Sequence, residues 1–562
     1  MLLVGVDVGG TYTDAVLLDQ GTVCASAKIL TKTDLLESVL EALDVVLRET
    51  NKDDLERIVI STTVITNLIA GRKYDQIALL LIPGYGINLR QYDFQTKTIH
   101  LTGGVDYRGR ELASVDKREI NAAVEELAAA GFDKVGVVGK FSPRNNELEK
   151  KTADLIRELR PDWQVELGYL SGPQLNFPRR AVTTFLAGAT RAPYKDFAQA
   201  VQQALGKREI RAEVFVLKAD GGTMPLAKSL ELPVETIFSG PAASTLGALA
   251  LLPPDETAVV ADIGGTTTDI SLILNGQPLL STKGARVNEQ LTQVRTLAVK
   301  SAAVGGDSLL EISGDVLVCR PFRLGPAYCM DGPAPTPTDA LRVLGLNEMG
   351  DAAKAMEAME KLGAPLGLSG LVTAERVAAL VVDRITDEVN KMFLEWEQEP
   401  AYRIWELLQK RKMRPNLVIG VGGGAAGIIP QVAERLQCRP VIPPHAPVAN
   451  AIGAAVAQPT VQISVRADTE EGVYHIREEG IQGKIGRSNF NEQNALDLAR
   501  EKLLEKAAAY GLTVGPESVE VTYREVFNMV RGWSTAGRLY DITVQTPRGI
   551  TCRIVEGGKS SA

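Results

Sequence analysis

Residues 4–18 read VGVDVGGTYTDAVLL, and residues 260–274 read VADIGGTTTDISLIL. After one slipped position, Asp7 falls on Asp262, Gly9-Gly10-Thr11 on Gly264-Gly265-Thr266, and Thr13-Asp14 on Thr268-Asp269. Repeats with a period of about 20–50 residues would mean a solenoid. A single repeat hundreds of residues away predicts two similar domains that open with the same element. Each copy has an apolar, β-rich run ending in Asp, a Gly-Gly-Thr turn, and a second apolar run. That pattern predicts a β-hairpin. Glycines leave backbone N–H groups free to face phosphate oxygens, and the Thr hydroxyls add donors. An Asp at the end of a strand offers hard oxygen to Mg²⁺, directly or through water. Two such hairpins facing each other would clamp a polyphosphate and its metal.

A third glycine cluster reads LVIGVGGGAAG at 417–427, followed by IIPQVAERLQ. This predicts a buried strand, a glycine turn and an amphipathic helix. It is neither a Walker loop nor a GxGxxG fingerprint with its ribose acid. Such a turn lets a nucleoside lie against backbone without a Cβ clash. Close helix–strand packing is the structural alternative. RPVIPPHAPVANAIGAAVA (439–457) then predicts a short strand, a Pro-rich loop and a helix of small residues.

The remaining composition narrows the classes. The chain has 562 residues, 45% of them apolar and 23% charged, with net charge −8. This is a globular composition with room for several cores. The mild acidity argues against a nucleic-acid-coating surface. The segment MLLVGVDVGGTYTD has no basic run before an apolar core, so no secretory signal is expected. The most apolar stretches are broken by Pro and Gly, and no membrane span is expected. Cys24, Cys319, Cys329, Cys438 and Cys552 are scattered with no CxxC pair, and His100, His445 and His475 form no HExxH. A disulfide framework and a zinc ribbon are disfavoured. A cytoplasmic protein with reduced thiols is expected.

Finer motifs resemble the hydantoinase A/5-oxoprolinase family of the actin/hexokinase/Hsp70-type (ASKHA) ATPase superfamily. They are STTVITNLIAGRK (61–73), RRAVTTFLAGA (179–189), KADGGTMPL (218–226), FSGPAAS (238–244), DIGGTTTD (262–269), GPAYCMDGPAPTPTDALRVLG (325–345), and GGGAAGIIPQ with VIPPHAPVANAIG (422–431 and 441–453). The ordered matches run from about residue 3 to about residue 456. The resemblance implies an α/β fold: two duplicated actin/hexokinase-like (ribonuclease H-like) ATPase domains around a nucleotide cleft. It implies ATP and Mg²⁺ as cofactors, and phosphorylation of the carbonyl oxygen of a cyclic amide so that water can open the ring. It further implies a B-type partner subunit within an oligomer. Related members are subunits of ATP-dependent ketone carboxylases. A ketone carboxylase subunit and an ATP-driven reactivase of another enzyme are the competing readings.

Site roles follow from position within the resemblance. Asp7 and Asp262 are expected to organise the metal. Gly9, Gly10, Thr11 and Thr13 are expected to hold phosphate from one side, and Gly264, Gly265, Thr266 and Thr267 from the other. Gly422, Gly423 and Gly424 are expected to border the adenosine. Asp14 and Asp269 either act on the metal or brace their hairpins. Three departures from the family pattern weigh on the substrate rather than on the ATPase. Asp307 stands in AAVGGDSLLEI (302–312) where a small residue is usual. The nucleoside loop lacks its Pro, and the chain is rewritten after about residue 457.

Other polar residues admit two readings each. Thr62, Thr63 and Asn67 either serve the site or cap a helix. Arg179-Arg180 either neutralises phosphate or starts a solvated helix. Asp220-Gly221-Gly222 is a loop expected in the cleft between domains. Ser239-Gly240-Pro241 either opens a helix toward an anion or uses Pro as a helix start. Asp307 is a base, a metal ligand or a turn residue. Thr338-Asp339 reads as a helix cap, and His445 as structural ahead of a substrate contact. Cys329 has no acid–base partner legible in sequence, so it is not expected to be a nucleophile.

The expected organisation is residues 1–185 for the first ATPase half and 186–457 for the second. The second half carries a helical region (348–412) and the nucleoside loop. Residues 458–562 form a small α+β module with strands VEVTYREVF, YDITVQTP and ITCRIVEG, ending in a frayed GGKSSA tail.

Overall fold

The computed structural model describes residues 2–398, 414–486 and 489–555. The hairpin strand Leu2–Val8 is buried along nearly its whole length, and so is its counterpart Ala258–Ile263. Continuous apolar runs of this kind suit strands covered on both faces. Each strand lies inside a six-stranded sheet.

The first sheet runs Thr223–Pro225, Glu213–Leu217, Leu55–Thr62, Leu2–Val8, Tyr12–Asp19, Thr22–Leu30. The three N-terminal strands form an antiparallel meander, and Leu55–Thr62 and Glu213–Leu217 then add in parallel. The second sheet repeats the scheme. Ala258–Ile263 pairs antiparallel with Thr268–Leu274, which pairs antiparallel with Val299–Ala302. Leu417–Val421 and Arg439–Val441 follow in parallel. Both sheets thus take the order third–second–first–fourth–fifth, and the hairpin duplication extends to whole sheets.

Two helices lie between the sheets; the first packs on the second sheet, whose first strand follows it in sequence, and the second packs on the first sheet, far from it in sequence. Ser239–Ala250 sets Ala242, Leu246 and Leu249 against Val260, Leu417 and Ile419 of the second sheet. Ala449–Val456 sets Ala451, Ile452 and Ala455 against Leu3, Val16 and Leu18 of the first. Where the helices cross, a Cβ on Gly247 would come 2.0 Å from the Ala449 carbonyl oxygen, and one on Gly453 would come 1.9 Å from that of Ala243. Only glycine admits backbones so close.

The first half also carries a parallel four-stranded sheet, Gln164–Leu167, Lys134–Gly139, Ala78–Ile82 and Thr98–His100. The boundary expected at 185/186 falls inside the 31-residue helix Phe177–Lys207. Glu213–Leu217 and Thr223–Pro225 still belong to the first sheet, so that half extends past the expected boundary. The helices Ala352–Gly363 and Gly370–Gln398 supply the expected helical region as far as residue 398; its remainder, 399–413, lies outside the described residues.

The C-terminal module is a five-stranded antiparallel sheet with helix Glu492–Ala509 packed on it. One expected strand is corrected. Residues 551–555 do not join this sheet but return to the two halves: Thr551 N–H donates to Val456, Ile554 to Ala250 and Val555 to Gly21. The backbone donors here find partners on the two crossing helices and in the turn at Gly21, which removes any need for a sheet ladder. The GGKSSA segment lies outside the described residues. No single helix among the described residues is long and apolar enough to cross a membrane.

Candidate functional site

The two hairpins are built alike. Asp7 pairs across its hairpin with Asp14, and Asp262 with Asp269. Gly9 N–H donates to Tyr12 O at 3.0 Å, and Gly264 N–H to Thr267 O at 3.0 Å, closing equivalent turns. Gly10 has open space where a side chain would stand, as does Gly423 in the third glycine turn. Gly422 lies against Asp262, with a built Cβ 2.7 Å from Asp262 Oδ1, and Gly424 lies against Ile263. The three glycine turns therefore converge around the two strand-end aspartates.

One amide joins those aspartates. Asn450 Nδ2 donates to Asp7 Oδ2 at 3.3 Å and to Asp262 Oδ2 at 3.2 Å. Ser244 Oγ donates to Asp262 Oδ2 at 2.8 Å. Asp7 Oδ1 is buried and has no hydrogen-bond partner. A buried carboxylate oxygen without a partner is costly, and a site built to receive a ligand is one place where that cost is met. Burial pushes Asp7 up to about 7, with the neighbouring Ser61 hydroxyl and the Asn450 amide opposing and the Asp14 and Asp262 charges adding to the rise. Among the described residues no group of three His, Cys, Asp or Glu side chains is placed to hold a metal.

The other two aspartates have partners of their own. Lys28 Nζ donates to both oxygens of Asp14, at 2.8 and 2.9 Å, and to Pro447 O at 3.0 Å. Burial raises the Asp14 pKa, with Lys28 opposing. Ser301 Oγ donates to Asp269, whose burial pushes it up to about 6 with that bond opposing. Of the two readings for these residues, bracing describes Asp14. Asp269 also lines a cavity of about 810 Å³ together with Thr62, Thr63, Ser239 and Thr267.

The loop Gly305-Gly306-Asp307 is stacked on the second hairpin. Gly306 N–H donates to Gly264 O at 3.0 Å and Asp307 N–H to Gly265 O at 2.6 Å. A Cβ on Gly305 would come 2.5 Å from Gly264 O, so this position must be glycine. Asp307 Oδ2 receives Arg323 Nη1 at 3.4 Å, and the same nitrogen lies 3.5 Å from Thr11 Oγ1 on the first hairpin. Arg323 thereby reaches from one hairpin to the other. Burial raises the Asp307 pKa, and Arg323 opposes it.

Several expected positions are corrected. Thr13 is fully buried and its hydroxyl pairs with that of Thr31 at 3.0 Å, bracing the third strand and not opening on the cleft. Its counterpart Thr268 is likewise buried and bonds Val304 O. Arg180 neither meets phosphate nor solvent: it is buried, donates to the carbonyls of Gln174, Gly139 and Lys140, and neighbours buried Glu149. Arg179 donates to Lys283 O at 2.9 Å. Asp220 lines a separate cavity of about 350 Å³ against the C-terminal module, beside Lys218 and Arg295. The cap expected at Thr338-Asp339 falls to Thr336, which caps helix Pro337–Val343 in a capping box with Asp339 at the third helical position. Thr338 donates to Gly306 O. Cys329 is buried and its thiol is pushed up to about 12, far from a thiolate. His445 is exposed in a left-handed turn. Thr62 Oγ1 accepts from Val64 N–H and Thr63 Oγ1 from Asn67, so both brace a helix start while lining the large cavity.

Asn450, Ser244 and Arg323 were not among the sequence candidates. Asn450 and Ser244 are polar residues inside small-residue runs, ANAIGAAVA and GPAASTLGALA, and that contrast is the signal that marks them. Arg323 carries no comparable signal.

The hydantoinase/oxoprolinase N-terminal region profile matches residues 3–160, and the hydantoinase/oxoprolinase profile matches residues 180–463. The chain is 24% identical over 493 residues to the caprolactamase subunit alpha of Pseudomonas jessenii, covering 78% of this chain and 68% of that one. It is 24% identical over 456 residues to the acetone carboxylase beta subunit of Xanthobacter autotrophicus, covering 71% and 63% respectively. The crystal structure of ATP-dependent caprolactamase from Pseudomonas jessenii superposes with a TM-score of 0.73 at 19% identity, over 99% of this chain and 89% of that one. Nucleotide-free acetone carboxylase superposes with a TM-score of 0.70 at 18% identity, over 97% and 88%. These solved structures share the two-halved α/β fold. The two profiles take in most of the sequence, and the chain belongs to the hydantoinase/oxoprolinase family.

Proposed function

We propose that this chain is the ATP-using subunit of a cyclic amide hydrolase, which phosphorylates the carbonyl oxygen of its substrate before ring opening. The observation that carries the reading is the sharing of one amide, Asn450, by Asp7 and Asp262 between open glycine turns. The named relatives, a caprolactamase subunit and ATP-dependent caprolactamase, support the reaction class.

The donor set suits Mg²⁺. Two carboxylates offer hard oxygens, one of them unpartnered, and Mg²⁺ usually takes one or two carboxylates and completes its shell with water and phosphate. Asp7 and Asp262 would hold it, and it would supply charge neutralisation for the transferring phosphoryl group. Asn450 keeps the two carboxylates at a fixed spacing. The backbone N–H groups at Gly9-Gly10-Thr11 and Gly264-Gly265-Thr266 would orient phosphate oxygens, and Gly422, Gly423 and Gly424 would border the nucleoside. Arg323 would add a cation between the turns. Phosphoryl transfer needs little covalent help beyond such positioning and charge neutralisation. An amide carbon is a poor electrophile; phosphorylating its oxygen creates a leaving group and exposes the carbon to water.

We further propose a B-type partner subunit, because relatives are subunits of larger enzymes. We also propose a cytoplasmic setting, which ATP use and free cysteines suit. We take the two ATPase halves as two units with the C-terminal module as a third. The second reading, a ketone carboxylase subunit, rests on the likeness to acetone carboxylase.

The test is ATP turnover across hydantoins, 5-oxoproline, lactams and ketones, with and without bicarbonate and a B-type subunit. Stimulation by a cyclic amide without bicarbonate is expected. Stimulation by ketones only with bicarbonate selects the carboxylase, and stimulation only by a protein client selects a reactivase. Asp262→Ala is expected to abolish turnover in a folded protein, and unchanged turnover would reject the site.

A further inference from the structure

The two halves repeat each other until the connection between their second and third strands. In the first half, Gln20-Gly21 alone joins Tyr12–Asp19 to Thr22–Leu30. In the second, residues 275–298 intervene between Thr268–Leu274 and Val299–Ala302. This insertion and the C-terminal module meet the first half around the cavity of about 350 Å³. That volume falls within the range of about 300–1,000 Å³ common for small-molecule pockets. The first half contributes Lys218, Asp220 and Glu235, the insertion Arg295, and the module Arg477, Glu478, Lys506 and Asp541. None of the lining belongs to the three glycine turns.

The lining thus carries four cations and four anions, and six of these eight charges are met within the protein. Arg477 pairs with Asp541. Arg295 donates to Gln462 Oε1, and to Gln545 Oε1 at 3.2 Å. Glu478 accepts from Ser464 N–H at 2.8 Å and from Ser464 Oγ at 2.7 Å. Lys218 Nζ donates to Thr460 O at 3.4 Å and lies 3.7 Å from Asp220, which accepts from Gly222 N–H at 3.0 Å. Against its burial, Lys218, Arg295 and nearby Arg548 hold the Asp220 carboxyl below its usual value. Two charges remain. The ammonium of Lys506, in the last turn of helix Glu492–Ala509, and the carboxylate of Glu235, in the turn Pro233–Thr236, have no hydrogen bond or ion pair among the described residues. Both serve the same helix end: Tyr510, one turn beyond Lys506, has its pKa raised by burial and then by the Glu235 charge, with Glu231 and Glu479 adding. Two buried atoms of lining residues, Thr460 Oγ1 and Asp541 Oδ1, also lack a hydrogen-bond partner. Native proteins leave few such groups unmet, and each calls for a reason.

We infer that this cavity is a second small-molecule site, apart from the glycine turns, and that it binds an amino acid as its zwitterion, the ligand's ammonium on Glu235 and its carboxylate on Lys506. A ligand with one charge meets one of the free groups and leaves the other unpaired, and a neutral ring meets neither. The balance of cations and anions on the lining also suits a ligand with two separated charges and no net charge. The inference goes beyond the hydrolase reading and stands without it. Two sources share the chemistry: a free α-amino acid, and a ring-opened product, because hydrolysis of a cyclic amide leaves an amine and a carboxylate on one chain.

Isothermal titration calorimetry on the full chain tests this. The probes are 6-aminohexanoate and its isomer 2-aminohexanoate as zwitterions, with hexanoate and hexylammonium as single charges. The tighter isomer is expected to bind at least about ten-fold more strongly than either single-charge analogue. Glu235→Gln and Lys506→Met are each expected to weaken it by at least about ten-fold. The exchanged pair, Glu235→Lys with Lys506→Glu, is expected to recover most of the affinity, which a merely structural loss would not allow. A saturating non-hydrolysable ATP analogue is expected to leave the zwitterion bound, and displacement by it would overturn a separate site. Preference for 6-aminohexanoate sustains the site and identifies the ring-opened product as its source; preference for 2-aminohexanoate sustains it and identifies an α-amino acid. No heat from either isomer, or parental affinity in both single variants, would overturn the site while leaving the hydrolase reading intact. Zwitterion binding by a chain whose ATP turnover no cyclic amide stimulates would keep the site and reject the hydrolase.

Discussion

Asp7 and Asp262, the strand-end carboxylates of the two duplicated hairpins, accept hydrogen bonds from the same amide nitrogen, at 3.3 and 3.2 Å. That nitrogen belongs to Asn450, at the start of a helix that packs on the first sheet although it follows the second in sequence. The carboxylates are thus held in register by a residue positioned independently of either hairpin.

Asn450→Ala removes the shared donor and leaves the two carboxylates to repel each other. Outer contacts that orient metal-organising carboxylates are worth about 10–100-fold in affinity or activity. The expected result is a loss of that size, expressed mainly as a raised Mg²⁺ requirement. Titration of ATPase activity against Mg²⁺ measures it.

Asp7 gives the ligand-free protein a pH-dependent stability. Its folded pKa of about 7 lies above the ordinary carboxylate value of 3.8, so the folded state keeps a proton that the unfolded chain has released. Below 3.8 both states are protonated and the contribution is fully present. It is lost as pH rises through about 7. Asp269, pushed up to about 6, acts in the same direction. Asp7→Asn abolishes the Asp7 part. Without Mg²⁺ or nucleotide, its Tm is expected to exceed the parent's by about 2–4 °C at pH 8, with the gap closing by pH 4.5. Thermal scans across that range are the check, and a gap that widens toward acid contradicts the assignment.

Arg323→Ala separates Thr11 from Asp307 at a half-exposed position. Exposed ion pairs contribute about 0–1 kcal/mol to stability, so Tm is expected to stay constant. The KM for ATP is expected to rise several-fold, because a cation is removed from between the glycine turns. Parallel measurement of Tm and KM separates the two effects.

Arg180→Met tests a purely structural role. The guanidinium is buried beside the buried carboxylate of Glu149, which itself accepts from Gly139 and Tyr169 N–H. Breaking one partner of a buried pair costs about 3–5 kcal/mol. Denaturant unfolding is expected to show a loss of that order. The double variant with Glu149→Gln should recover part of it.

The duplicated Asp–Gly-Gly–Thr runs determined the two-halved α/β architecture and the identity of the strand-end aspartates. Hairpin pairing is local: alternation of apolar runs around a glycine turn sets register through neighbouring residues, and a repeat of that pattern repeats the fold. The third glycine turn at 422–424 was legible for the same reason. The limits of the first half were not. Glu213–Leu217 joins the first sheet only through pairing with Leu55–Thr62, a contact about 150 residues away that no local pattern encodes.

The side chains that complete the site came from the tertiary structure alone. Asn450, Ser244 and Arg323 reach it from a helix on the opposite sheet, from the crossing helix and from a distant loop. Buried polar residues in small-residue helices signal that they have a partner, not which one. Thr13 illustrates the converse: its motif position suggested the cleft, yet strand pleating turned it inward to Thr31. Sequence determined the hairpins because their energetics are those of near neighbours. Only the packing of Gly247 against Ala449 and Gly453 against Ala243, which sets how close the halves come, decided what faces what between them.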